Sequence, residues 1–150
     1  MFSIDAIMSS TLITVSPTDT LADARSLMQD NRIHHLPVTE DGKLVGLLTL
    51  TNVLAATDSF LRDDQSRIHA SEVSVSDVMV VDVATVDVRA SLRQAALFLE
   101  RHQFGCLPVM DDTKLIGIIT DTDFVAVAIN LLEQLEDSEP LDDDDLADAG

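Results

Sequence analysis

The stretch Leu36-Pro37-Val38-Thr39-Glu40-Asp41-Gly42-Lys43-Leu44-Val45-Gly46-Leu47-Leu48-Thr49 returns later in the chain as Leu107-Pro108-Val109-Met110-Asp111-Asp112-Thr113-Lys114-Leu115-Ile116-Gly117-Ile118-Ile119-Thr120. Each copy reads as an apolar strand, a polar turn and a second apolar strand, the composition of a hairpin. Leu36-Pro37-Val38 is read as the start of a strand with proline at its edge, because proline cannot donate to a ladder. The correspondence extends outward at the same offset. Met8 falls on Met79, Thr14-Val15 on Thr85-Val86, Leu21 on Leu92, Ala24 on Ala95 and Thr51 on Thr122. Residues 7–53 lie on 78–124 without a gap, and 14 of these 47 pairs are identical, so two copies of one unit make up the body of the chain.

Before the first hairpin, Leu21, Ala24, Leu27 and Met28 share one helical face, with Asp19 or Thr20 in front as the N-cap. The partner helix carries Leu92, Ala95, Ala96 and Leu99 after Ser91. A closing helix is expected over 52–56 in the first copy and from 123 to about 132 in the second. The order is β-α-β-β-α twice, an α/β (α+β) fold. The expected divisions are a first repeat over 1–60, a polar linker over 61–74, a second repeat over 75–132 and an acidic, disordered tail over 133–150. Ile118 is read as a core position whose replacement by Asp abolishes folding. A unit of about 55 residues is too small to be comfortably stable alone, so the copies should pack about a pseudo-two-fold axis with the ligand site in the cleft between them.

Composition removes several functions. With 9 Lys+Arg against 27 Asp+Glu the net charge is -18, which repels phosphate backbones and argues against nucleic acid as a partner. Nine of the acids and none of the bases lie from Glu133 onward, so the body is only moderately acidic. The longest uncharged apolar stretch, 124–132, is far short of the roughly 20 residues of a membrane span. Neither a signal segment nor a disulfide is read, Cys106 being alone, and a cytoplasmic protein is expected. With no Trp and no Tyr, any ligand must be held by aliphatic side chains and backbone groups. Cys106 adjoins the Leu-Pro-Val strand and reads as a core residue, while no paired carboxylates, triad or metal cluster emerges. Neither an enzyme nor a metal site is expected.

Ile7-Met8, Ile33-His34-His35-Leu36-Pro37-Val38 and Gly46-Leu47-Leu48-Thr49-Leu50-Thr51-Asn52, with their second-copy partners Val78-Met79, Phe104-Gly105-Cys106-Leu107-Pro108-Val109 and Gly117-Ile118-Ile119-Thr120-Asp121-Thr122-Asp123, resemble the cystathionine β-synthase (CBS) domain. The tandem pair is similar to a Bateman module. That resemblance implies a regulatory, energy-sensing module that binds AMP, ADP, ATP or S-adenosylmethionine, with magnesium accompanying a nucleotide, and that acts on an effector protein as a homodimer. It implies that Gly-x-x-Thr-x-x-Asp holds ribose and phosphate, and that the segment before the Pro-Val strand of one repeat faces that motif in the other. The second copy keeps the whole motif, so one competent site is expected at Ile13, Thr14, Val15, Ile33, His34, His35, Pro37, Thr120, Thr122 and Asp123. The first copy has Asn52 where the carboxylate belongs, which predicts a weaker site at Thr49, Thr51, Asn52, Thr85, Phe104 and Pro108. The dimer is expected to form through the apolar faces of the Leu21 and Leu92 helices. The alternative is a structural homodimeric interaction module that has lost nucleotide binding, which the Asn52 change and the scarcity of basic residues favour.

Overall fold

The computed structural model describes residues 3–61, 72–103 and 105–138. Its elements are α1 (Ile4–Ile7), α2 (Leu21–Asn31), β1 (His35–Glu40), β2 (Lys43–Thr49), α3 (Leu50–Leu61), a 3-10 turn (Val75–Asp77), β3 (Val86–Asp87), α4 (Leu92–His102), β4 (Cys106–Asp111), β5 (Lys114–Thr120) and α5 (Asp121–Ser138). The β-α-β-β-α order holds in both repeats. The opening strand is β3 in the second and a single parallel bridge, Val15 to Val38, in the first.

Local chemistry sets the helix starts. Thr20, not Asp19, caps α2 by accepting from the Asp23 N–H, while Asp19 accepts from the Ser16 N–H. Ser91 and Gln94 close a reciprocal capping box on α4. Both closing helices are longer than the sequence pattern indicated, and α5 continues over residues 133–138, which were assigned to the acidic tail. The linker residues 62–71 and the tail residues 139–150 lie outside the described residues.

The β1–β2 and β4–β5 hairpins are antiparallel, and each skips one register position at the same place, after Val38 and after Val109. The first turn places Asp41 and Gly42 at φ 52 and 78, the left-handed pair that a two-residue hairpin loop needs. Pro37 is the third residue of β1, a strand of a two-stranded sheet, and so lies on a sheet edge as expected. Its nitrogen points away from β2, to the side on which the Thr39 N–H donates to Val15 O, so no ladder bond to β2 is lost.

Two cores form, and each borrows from the other repeat. Ile4, from α1, is fully buried with Ala95, Leu99, Leu107, Val109 and Ile119 in the second core. Val73 and Val75 join Val15, Leu21, Leu36, Val38 and Leu48 in the first. Thus Val73 and Ser74, expected in the linker, are built into the first repeat: Val73 O accepts from the Leu21 N–H and Ser74 pairs with Thr20. Backbone pairs secure the exchange, Ser9 with Ile118 on β5 and Val80 with Leu47 on β2. The fully buried position of β5 is Ile119, whereas Ile118 is only partly buried and faces the inter-repeat cleft, so an Asp at Ile118 should not carry the folding penalty expected for it.

Gly46 and Gly117 make this crossing possible. A Cβ on Gly117 would lie 2.5 Å from Met8 Sδ and 2.9 Å from the Ser9 carbonyl, and one on Gly46 would lie 2.5 Å from Met79 Sδ and 3.0 Å from the Val80 carbonyl. The methionine can move aside, but the paired backbone cannot. Gly117→Ala should therefore lower stability by about 1–3 kcal/mol, read from the urea midpoint with an unchanged slope.

Candidate functional site

A cleft of about 480 Å³ opens between the repeats, with Thr120, Asp121, Thr122 and Asp123 of the second on one side and residues 31–35 of the first on the other. The expected residues Ile13, Ile33, His34, His35, Pro37, Thr120, Thr122 and Asp123 all line it. Thr14 and Val15 do not. Val15 is 3% exposed in the first core, and its backbone is taken by Pro37 O and the Thr39 N–H. Ser9, Thr11, Leu12, Asn31, Arg32, Ile118 and Asp121 also line the cleft and were not singled out from sequence. For Asp121 the signal was present: its counterpart in the first repeat is Leu50.

The junction of β5 and α5 organises the chemistry. Thr120 N–H donates to Asp123 Oδ2 at 2.8 Å, and Asp123 N–H donates to Thr120 Oγ1 at 3.3 Å. This leaves Asp123 Oδ1 without a donor among the described residues, an acceptor able to take a hydroxyl. The first-repeat equivalent is arranged differently. Asn52 Oδ1 accepts from both the Thr49 N–H, at 3.2 Å, and the Thr49 hydroxyl, at 2.7 Å, so only its NH2 donors remain. Of the other residues expected at that weaker site, Pro108 is fully buried, Thr51 and Thr85 are exposed, and Phe104 lies outside the described residues.

A phosphate-binding role for the N–H groups at the start of α5 is not supported by the geometry. Asp121 N–H is held by Gly105 O at 3.1 Å, Thr122 N–H by Asp121 Oδ1 at 2.9 Å, and those of Thr120 and Asp123 by the reciprocal pair. These donors are already satisfied within the chain.

Gly105, at φ 75, allows close approach across the axis. A Cβ there would lie 3.3 Å from His35 Nε2 and 4.0 Å from Asp121 Oδ2. Burial pushes the His35 imidazole below its ordinary value, opposed by Asp121 and reinforced by His34. Burial, aided by Asp121, pushes the Cys106 thiol up to about 12, which leaves it protonated and unreactive at neutral pH. Among the described residues no group of three His, Cys, Asp or Glu side chains could hold a metal ion, and no helix is long and apolar enough to cross a membrane.

Two repeats that exchange their leading segments around a shared cleft are a specific architecture, and a family model described as CBS domain matches residues 4–59 and 75–130. The chain belongs to the CBS domain family. It is 33% identical over 119 residues to the CBS domain-containing protein YhcV of Bacillus subtilis, covering 79% of this chain and 80% of that one. Among solved structures, acetoin utilization protein AcuB from Vibrio cholerae is 39% identical with a TM-score of 0.76, covering 93% of this chain and 99% of that one. CBSX2 of Arabidopsis thaliana, crystallised in complex with AMP, is 30% identical with a TM-score of 0.73, covering 87% of this chain and 98% of its own. CBS pairs are generally regulatory modules rather than enzymes.

The depressed His35 value carries a stability consequence for this CBS pair. Below its ordinary pKa of 6.5 the unfolded chain binds a proton that the folded chain resists, so the stability His35 contributes is present above pH 6.5 and is lost as pH falls through the folded value. The urea midpoint should fall between about pH 7.5 and about pH 5, and the fall should be smaller in His35→Gln.

Proposed function

We propose that the protein is a ligand-sensing regulatory module that binds an adenosine derivative in the cleft between its repeats and passes occupancy to an effector. The observation that carries this reading is that the second repeat's Thr120-to-Asp123 turn and the first repeat's Ile33-to-His35 segment line one shared cavity, with one carboxylate oxygen of Asp123 left without a donor among the described residues. An occupant must touch both repeats, so its binding energy favours one relative arrangement of them. That AMP is bound by CBSX2, at 30% identity over most of both chains, supports the ligand class. Asp123 is assigned to the ribose hydroxyls, Ile13 and Ile33 to the base through aliphatic contact, and His34 to the polar end of the ligand. One competent site per chain follows from the hydrogen bonding, since Asn52 offers no free acceptor.

The output face is read from exposed apolar surface. The α2 and α4 faces expected to mediate dimerisation are turned inward: Leu21, Ala24 and Met28 are at most 2% exposed, and Ala95 and Leu99 lie in the second core. Leu54, Val80, Val81 and Leu97 are exposed at scattered places, whereas on α5 Val125, Ile129, Leu132 and Leu135 are each more than half exposed and follow helical spacing. This stripe adjoins an apolar groove of about 510 Å³ between α4 and α5. We assign it to a second copy of the chain in the cytoplasm, with the effector responding to the dimer.

Four measurements test the reading. With no Trp or Tyr the protein is nearly dark at 280 nm, so a co-purified adenine is directly visible in the ultraviolet spectrum. Added adenosine ligands should raise the melting temperature. Asp123→Asn, which recreates the first-repeat arrangement and retains a capping side chain, should weaken binding by about tenfold to a hundredfold, the loss of hydrogen bonds to a charged acceptor. No ligand-induced shift at millimolar concentration would instead support the interaction module without a nucleotide. Ile129→Asp should convert the dimer to a monomer in sedimentation, with the fold retained.

A further inference from the structure

The chemistry of the cleft says more than that it suits adenosine. We infer, resting on the adenosine-site reading above, that it selects derivatives without a phosphate, that a sulfonium nucleoside with a net positive charge binds best, and that Asp121 is the specificity-determining residue.

Three observations meet here. The N–H groups of Thr120, Asp121, Thr122 and Asp123, at the helix terminus where a phosphate would be cradled, are all hydrogen-bonded within the chain. The charged lining is unbalanced as well. Arg32, on the exposed left-handed C-cap of α2, is the one Lys or Arg of the lining and is set against two carboxylates, Asp121 and Asp123. Asp121 also keeps a free oxygen: Oδ1 accepts from Thr122 N–H, while Oδ2 has no donor among the described residues and lies beside Gly105 close to His35. In the first repeat this position is Leu50, so the carboxylate is a property of this cleft and not of the repeat.

A phosphate monoester would bring about 1.5 to 2 negative charges toward two carboxylates and find no unpaired N–H among those four. A sulfonium loses part of its hydration on entering the same space and is compensated by Asp121. Uncharged adenosine gains the ribose and base contacts and neither effect.

The test is calorimetric titration of the full chain with S-adenosylmethionine, adenosine, AMP, and ATP with and without magnesium. S-adenosylmethionine should bind at least about tenfold more tightly than AMP, with adenosine between them. Asp121→Asn keeps the shape and the Thr122 contact, and should shrink the S-adenosylmethionine to AMP ratio by about tenfold while changing adenosine less than about twofold. Thr122→Lys adds a positive charge beside the cleft and should move the ratio the same way, so the question is answered even if Asp121→Asn folds poorly. AMP or ATP binding as tightly as S-adenosylmethionine, or a ratio that neither substitution moves, overturns the inference while leaving the adenosine site standing. Failure of every compound, adenosine included, overturns the adenosine site and this inference with it.

Discussion

Each half of this protein depends on a backbone exchange across the pseudo-two-fold axis. The final strand of one repeat is paired by the segment that leads into the other, Ser9 on Ile118 and Val80 on Leu47. An unpaired strand edge buried between repeats would leave N–H and C=O groups unsatisfied, which is costly, and the exchange meets that cost with four backbone hydrogen bonds of 2.9 to 3.0 Å. Gly46 and Gly117 keep the crossing close, while Met8 and Met79 fill what the missing side chains leave. Because α1 belongs to the second core and Val73 and Val75 to the first, neither repeat owns a complete interior. The cleft is therefore a surface that both repeats share.

Duplication provided two equivalent places for chemistry, and substitution made them unequal. Thr120 and Asp123 repeat the Thr49 and Asn52 capping pair, but the carboxylate leaves an acceptor open where the amide has its oxygen doubly engaged. Asp121 replaces Leu50, and Gly105 and Cys106 replace His34 and His35, so the one cleft carries an acid from the second repeat and two imidazoles from the first. The same divergence shapes the α4–α5 groove, where Ala96 and Gly105 stand in place of Arg25 and His34. These differences sit beside hairpins that pair in the same way in both copies, down to the register skip after Val38 and Val109.

Much of the site was legible because it lies in the segments that repeat. Ile33, His34, His35, Thr120, Thr122 and Asp123 were named by the resemblance to the CBS domain that those repeated segments carry, and all line the cleft. Val15 was misplaced because a Thr-Val pair near a strand start looks alike whether it faces a ligand or the core, and its side is fixed by its pairing with Pro37 and Thr39. Ile118 and Ile119 were confused for a related reason: neighbouring strand residues face opposite ways, and only register says which faces inward. The faces of α2 and α4 read as available for contact since periodicity marks an apolar face without saying what covers it.

The amino-acid sequence by itself determined the number of repeats, the element order, the hairpins and the capped helix starts, because these follow from local spacing and from turn and cap chemistry within a few residues. It also determined that the two copies differ at the position that caps the closing helix, Asn52 in one and Asp123 in the other. Only the tertiary structure decided which leading segment completes which core, that the N–H groups at the start of α5 are already paired, and that Asp121 and His35 approach one another across Gly105. Those are contacts between residues far apart in the chain. Their existence depends on a relative placement of two sheets that no local pattern encodes, because hydrophobic burial drives the repeats together without direction and the backbone hydrogen bonds of the exchanged segments then select the register.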